Sequence, residues 1–257
     1  MKDTPPLDVI KFASIEHEQF LVSLANDKEE LALHSHVQGL YAAALNHTEI
    51  GVNEMVILQL LVFIHYHFLF STSCMMRRHL SEAYASTRAA IDAALIAAVI
   101  IDDRSKQVEY ATKKYPFDGQ LNRHLKNLIK DNKPLPHRLV PTLLDSYGKF
   151  SMFASHADIG SFVHRVTINK TDSQQDLIFM EYFQFAKNKT ERKIHNLTLL
   201  HTYVMLLDIF APFFVAKEKL LPEVWFTEMQ ELGAHIERQV KVYRTELASQ
   251  QKEEEPA

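Results

Sequence analysis

Long stretches of this chain lack the residues that interrupt helices. No proline occurs between Pro6 and Pro116 or between Pro141 and Pro212, and the 257 residues include only six glycines. Proline and glycine are the strongest local breakers of helices. Within both stretches apolar residues recur at spacings of three and four, which is the period of one helix face. The sequence therefore predicts an all-α fold, a multi-helix bundle of about seven to ten helices in a single domain.

The apolar period and the candidate caps place the individual helices. The expected helices span about 5–25, 27–46, 50–74, 76–102, 105–115, 139–155, 173–187, 190–218 and 222–249. The helices 50–74 and 76–102 form either a pair or one long bent rod, and 118–138 is expected to hold an amphipathic helix closed by a Pro-rich turn. The candidate N-caps are Ser105, Thr171 or Ser173, and Thr190. The β-branched start of 165–176, a loop-like stretch, favours a short strand. We assign 1–250 to one helical bundle domain and 251–257 to a disordered acidic tail.

Composition and charge narrow the class of protein. The formal charge of −4 argues against a protein whose whole surface coats nucleic acid. The single cysteine, Cys74, excludes an internal disulfide, and the start MKDTPPLDVI lacks the apolar segment of a secretory signal. The apolar stretches 55–76 and 197–216 are interrupted by polar residues, so we interpret them as core helices. We expect a soluble, cytoplasmic protein without membrane insertion.

One carboxylate stands inside an apolar run. From Ala89 to Ile101 every residue is apolar except Asp92, and Arg88 lies one helical turn before it. An unpaired buried carboxylate costs several kcal/mol or becomes protonated. We therefore expect Arg88 to form a bidentate pair with Asp92, with the hydroxyl of Tyr84 as a further partner. Such a pair either fixes helix register or forms part of a polar pocket within the bundle.

Fourteen histidines raise the question of a metal site. The sequence contains neither HExxH nor the paired Glu-x-x-His units of di-iron bundles, so we predict no metal and no cofactor. In 155-SHADIGSFVHR-165, His156 and His164 lie eight residues apart with Gly160 between them. These two histidines are either ordinary hydrogen-bonded residues or candidate acid–base groups.

Positive charge is concentrated between residues 111 and 140. Four of these cations recur at three- and four-residue spacing and predict one basic stripe on a helix, namely Arg123, Lys126, Lys130 and Lys133. The stripe is explained either by a solvated outer face or by contacts with phosphates. RNA is therefore one candidate partner, and a second copy of the chain, forming a homodimer, is another.

The run 78-RHLSEAYASTRAAIDAALIAAVIIDD-103 resembles the signature helix of a large, mostly uncharacterised group of bacterial all-helical proteins. That group carries an A-x3-R-x3-E pattern, matched here from Tyr84 or Ala85 through Arg88 to Asp92, with aspartate in place of the commoner glutamate. Ser155-His156 is similar to its later Ser-His element. The group is similar in layout to the helical HEPN proteins, which include RNA-cleaving toxins and defence proteins. The resemblance covers about 49–165.

Two functions remain open, and with them the question of enzymatic activity. The first is a bundle that binds a partner or ligand, within a defence or plasmid-borne system as the resemblance implies. The second is a HEPN-like, metal-independent ribonuclease in which His156 or His164 transfers protons and Arg88 stabilises phosphate charge. The Arg-x4-6-His motif of active HEPN nucleases is absent from the sequence. A nuclease would therefore need Arg88 and a histidine to converge from separate helices.

Overall fold

The fold was analysed in a computed structural model of the chain. It describes residues 8–46, 54–154, 166–170, 176–180, 186, 188–216 and 221–254. The helices within these ranges are α1 (Val9–Asn26), α2 (Lys28–Asn46), α3 (Met55–Met76), α4 (Leu80–Ile100), α5 (Arg104–Ala111), α6 (Leu121–Lys130), α7 (Val140–Ala154), α8 (Lys189–Asp208), α9 (Ala211–Ala216) and α10 (Glu223–Glu254). The predicted all-α bundle is thus confirmed.

A small hairpin is the exception to the helical pattern. β1 (Val166–Lys170) pairs antiparallel with β2 (Asp176–Met180). The short strand predicted at the start of 165–176 is confirmed, but the helix predicted at 173–187 is wrong where it overlaps β2. Both segments are rich in β-branched and large apolar residues, which suit a paired strand, and β1 lies close enough in sequence to supply the partner.

Three predicted helix ends move for reasons visible in the backbone. Asp103, not Ser105, caps α5, because its extended backbone lets the carboxylate accept hydrogen bonds from the amides of Ser105 and Lys106. Asn188, not Thr190, caps α8 in the same way. α10 continues to Glu254, so 251–254, assigned to the tail from the sequence, extend the last helix.

α4 is the central helix of the bundle. It packs against α3, α5, α6, α7 and α8. Ala90, Ala94 and Ala97 are fully buried along it, and these small side chains allow the neighbouring backbones to approach closely. The remaining core forms where α8 packs on α2 and α10.

Three hydrogen bonds join polar groups inside the core. The Tyr41 hydroxyl donates to the carbonyl oxygen of Tyr203 at 2.8 Å, and the Ser71 hydroxyl donates to the Tyr203 hydroxyl oxygen at 3.0 Å. The indole of Trp225 donates to the carbonyl oxygen of Leu40 at 3.0 Å. Since a buried unpaired polar group costs about 1–3 kcal/mol, these bonds fix how α2, α3, α8 and α10 meet.

Three of the described helices are long and apolar enough to span a membrane, judged by length and composition alone. They cover Met55–Met76, Leu80–Ile100 and Lys189–Val215. In their most apolar windows, 67% of the second and 61% of the third are buried inside the protein, but only 33% of the first. The bundle itself therefore covers most of α4 and α8 and leaves much of α3 uncovered. The cytoplasmic location stays a prediction.

His34 is a buried histidine held between two helices. Its Nε2 lies 2.8 Å from the Asn196 side-chain oxygen, and its Nδ1 lies 3.2 Å from the Thr72 hydroxyl. The first contact requires Nε2 to donate, so Nδ1 accepts from the Thr72 hydroxyl. Burial lowers the pKa of His34 to about 4, and the imidazole is neutral at pH 7.

We expect this histidine to make the fold acid-sensitive. Between the ordinary histidine pKa of 6.5 and about 4, the unfolded chain binds a proton that folded His34 does not. The free energy of unfolding should therefore fall as pH drops through this window, by at most about 3 kcal/mol from His34. Chemical denaturation at several pH values should show a shallower fall for His34→Gln. The exposed His36→Gln is the matched control, and an unchanged slope in His34→Gln would contradict the prediction.

Candidate functional site

A surface cleft lies where α3, α4 and α5 meet. Its volume is about 440 Å³, within the range of small-ligand sites. It is lined by Val56, Gln59, Leu60, Phe63, Ala89, Asp92, Ala93, Ile96 and Tyr110. Asp92 is the only one of these nine residues with a formal charge. The carboxylate that stands out in the sequence thus lies in the wall of an otherwise largely apolar cleft.

Asp92 is half-buried and weakly paired. The Asn122 side-chain amide, from α6, donates a hydrogen bond to Oδ1 of Asp92 at 3.1 Å. No second hydrogen bond to this carboxylate occurs among the described residues, which leaves Oδ2 open to a ligand. Burial raises the pKa of Asp92, while the Asn122 hydrogen bond and the charge of Arg88 lower it by less.

The predicted ion pair between Arg88 and Asp92 is wrong. None of the described ion pairs joins these two side chains. Instead the guanidinium of Arg88 lies over the ring of Tyr147, on α7, at 5.3 Å from its centroid. Tyr147 belongs to a different helix, so the spacing of Arg88 and Asp92 within α4 could not predict this contact.

The predicted support of Asp92 by Tyr84 is wrong as well. The hydroxyl of Tyr84 lies 2.7 Å from Nδ1 of His195, on α8. The Tyr84 ring stacks on Phe150 at 4.5 Å between centroids, and burial raises the pKa of the phenol. Tyr84 and Asp92 are two helical turns apart, about 12 Å along the axis, which is too far for a direct contact here.

The remaining polar groups of the cleft come from two other helices. Gln59 on α3 and Tyr110 on α5 flank the α4 wall that holds Asp92. The Tyr110 ring packs edge-to-face on the Phe117 ring, with 5.5 Å between the ring centroids. Phe63 adds a second aromatic ring to the lining. A carboxylate beside two aromatic rings is the chemistry that recognises a cationic nitrogen on an apolar body.

Sequence reasoning missed every cleft residue except Asp92. Gln59 and Phe63 lie in a stretch whose apolar character indicates only burial, and Asn122 is one of several polar residues in an amphipathic helix. The available signal was the charged residue in an apolar run. The neighbours of that residue depend on how α3, α5 and α6 pack, which spacing within one helix does not determine.

The candidate nuclease histidines, His156 and His164, lie outside the described residues. Their distance from Arg88 is therefore untested, and the ribonuclease interpretation stays a prediction. Within the described residues, no group of three or more His, Cys, Asp or Glu side chains is placed to hold a metal ion.

The basic stripe lies on the surface. Arg123, Lys126 and Lys130 are exposed on α6, while Leu121 and Leu125 are buried on its opposite side. Lys133 follows the helix and forms an ion pair with Asp131 at 3.2 Å. The three cations on α6 have no ion pair among the described residues. The stripe is thus accessible to a polyanion, and RNA binding remains a prediction.

Comparisons with known proteins leave the family open. No family model matches the chain, and no significant match was found among curated proteins or solved structures. The resemblance of 78–103 to a bacterial helical family therefore remains an expectation. The function has to be argued from the geometry of the cleft and of the helical surfaces.

We expect Asp92→Asn to stabilise the protein at neutral pH. Because burial raises the pKa of Asp92, the ionised carboxylate destabilises the fold, whereas asparagine can still accept from Asn122. The two proteins should be equally stable at pH values below the ordinary pKa of about 3.8. The wild type should lose stability relative to the variant as pH rises through the raised pKa. A variant less stable than the wild type at pH 7, in urea denaturation, would contradict this account.

A second prediction concerns the basic stripe. If Arg123, Lys126 and Lys130 contact phosphates, their combined replacement by Glu should abolish salt-sensitive RNA binding. In the parent protein these three contacts should account for about 2 units of the slope of log affinity against log salt, since each contact to single-stranded RNA contributes about 0.7. Fluorescence anisotropy with a labelled single-stranded RNA measures the affinity at several salt concentrations. Replacement of Arg238, Lys241 and Arg244, exposed cations of α10, is the control. Absence of binding by the parent protein at low salt would identify α6 as a solvated face.

Proposed function

We propose that the protein is a binding module whose cleft accepts a cationic nitrogen carried on an apolar body. The observation that carries this proposal is the half-buried carboxylate of Asp92, which lies in an otherwise largely apolar cleft and has, among the described residues, one hydrogen bond and no ion pair. Arg88, the cation nearest in sequence, is positioned over Tyr147 instead. The site therefore has an acceptor for a positive charge and leaves it available.

Electrostatics favours an ammonium or guanidinium group over a neutral one. Partial burial penalises the bare carboxylate, as its raised pKa indicates. A cationic donor that binds Oδ2 offsets this penalty, and a hydrogen bond to a charged group contributes about 1.5–3 kcal/mol. The same burial reduces competition from water. The affinity for a cation should therefore come mainly from Asp92.

The apolar walls define the rest of the ligand. Leu60, Phe63 and Ile96 offer area for an alkyl or aromatic body, and the rings of Phe63 and Tyr110 can contact a cation through their faces. At about 440 Å³ the cleft suits a small molecule or one basic side chain of a partner. Phenethylammonium combines an aromatic body with a primary ammonium and is a suitable probe.

The test compares three probes that share one apolar body. Phenethylammonium, neutral phenethyl alcohol and anionic hydrocinnamate are titrated into the protein by calorimetry. We expect the ammonium to bind best and Asp92→Asn to weaken it by about 10- to 100-fold, the equivalent of one charge-assisted hydrogen bond. The affinity of the alcohol should be nearly the same for both proteins. Binding of the ammonium should also weaken as pH falls and Asp92 becomes protonated.

The matched control is Asp102→Asn, the same change at an exposed position just beyond the end of α4. This variant should bind phenethylammonium as the wild type does. Equal binding of all three probes, or equal loss of binding in both variants, would mean that Asp92 is not a recognition group. Tighter binding of hydrocinnamate than of the ammonium would reverse the proposed charge preference.

A further inference from the structure

α3 carries an apolar surface that the bundle does not cover. Its exposed residues recur at three- and four-residue spacing along one face, and we call them the α3 stripe: Met55, Gln59, Val62, Phe63, Tyr66, Leu69 and Phe70. Six of the seven are large and apolar or aromatic, with exposed fractions from 44% for Phe63 to 59% for Tyr66. α3 contains no charged residue from Met55 to Met76. Such a contiguous uncharged face marks an interaction surface.

The stripe is complementary to itself. Consider an antiparallel pair of α3 helices related by a two-fold axis that passes between Val62 and Phe63. In this register, the residue numbers of two residues that lie opposite each other add up to about 125. Met55 then faces the partner subunit's Phe70, and Gln59 faces the partner subunit's Tyr66. The Gln59 amide and the Tyr66 hydroxyl have no hydrogen-bond partner among the described residues. Antiparallel pairing brings these two polar groups together, twice by symmetry.

We propose that the protein forms a homodimer through antiparallel packing of α3 on α3 of a second copy, centred between Val62 and Phe63. This inference rests on the α3 stripe and does not depend on the ligand proposed for the cleft. It goes beyond that function by naming the occupant of the exposed face of α3, which borders the cleft and shares Gln59 and Phe63 with it.

The area of the stripe suits such a dimer. With exposed fractions of 44–59% for its six large side chains and about 150–250 Å² per large side chain, the stripe exposes roughly 550 Å² per copy. Two copies would bury roughly 1,100 Å² through these side chains alone, close to the lower bound of about 1,200 Å² for specific interfaces. Contacts from neighbouring residues such as Val56 add to this area.

A second copy fits the stripe better than lipid does. In hydrocarbon the Gln59 amide and the Tyr66 hydroxyl would stay unpaired near the middle of the apolar surface, which is costly. A second α3 provides a partner for both groups and introduces no like charges, because the helix is uncharged. The geometry therefore favours self-association over membrane contact.

The experiment tests both association and register. Met55→Lys and Phe70→Glu each place a charge opposite an apolar residue of the second copy, twice per dimer. Each single variant should therefore weaken association by about tenfold or more. The double variant Met55→Lys/Phe70→Glu should restore the dimer, because the two new charges face each other across the axis. They cannot meet within one chain, since fifteen residues of helix separate them by about 22 Å. Neither residue lines the cleft.

Analytical ultracentrifugation over a range of micromolar concentrations measures the association, and circular dichroism checks that each variant folds. Met152→Lys, which charges a still more exposed apolar residue on α7, should leave the dimer intact. Leu69→Lys is a second disrupting variant should Met55→Lys fail to fold. A wild-type protein that stays monomeric would overturn the proposal, and a dimer unaffected by the α3 variants would do the same. A double variant that is not rescued would overturn the register.

A flotation assay with vesicles of phosphatidylcholine and phosphatidylglycerol tests whether lipid covers the α3 stripe instead. We expect the wild-type protein not to float with these vesicles. A monomeric protein that floats with vesicles, and loses this property in Leu69→Lys, would show that lipid rather than a second copy covers the α3 stripe.

Discussion

The close packing of α4 against its neighbours is the constraint on which the rest of the structure depends. α4 has small, fully buried side chains at Ala90, Ala94 and Ala97. These allow α3 and α7 to pack close to the α4 backbone from different sides. A helix enclosed in this way buries most of its residues. Asp92 escapes full burial only because it lies at the edge of the α3–α4 contact, where the cleft begins. The alanines and the half-buried carboxylate are thus parts of the same arrangement.

Local pattern predicted the helices well because helix formation is governed by neighbours in the sequence. The absence of breakers and the apolar period were sufficient for α2 and α3. They failed at 176–180, where pairing with Val166–Lys170 prevails over any local preference for helix. The pairing of Arg88 with Asp92 failed for a related reason. Spacing placed both residues on one face, but the approach of Tyr147 from α7 determined which group Arg88 contacts.

At Asp92, fold stability and the proposed binding of a cation make opposite demands on the charge of one side chain. An ionised, partly buried Asp92 destabilises the fold, and a neutral residue of the same size would remove that cost. The single hydrogen bond from Asn122 orients the carboxylate without neutralising it. A side chain that only fixed helix packing would be expected to have a close cationic partner, and no ion pair to Asp92 occurs within the described part of the chain. This arrangement supports the proposal that the carboxylate receives an external cation.

The cleft and the α3 stripe share residues, and this couples the two surfaces. Gln59 and Phe63 line the cleft and also belong to the exposed face of α3. A second α3 packed on that face would contact the side chains that a ligand in the cleft touches from the other side. If a ligand changes the position of Phe63, it changes the free energy of association. By linkage, association must then change the affinity for that ligand by the same factor. Under the two proposals, Asp92, which is outside the stripe, would determine which ligand binds, while Gln59 and Phe63 would transmit the presence of that ligand to the dimer contact.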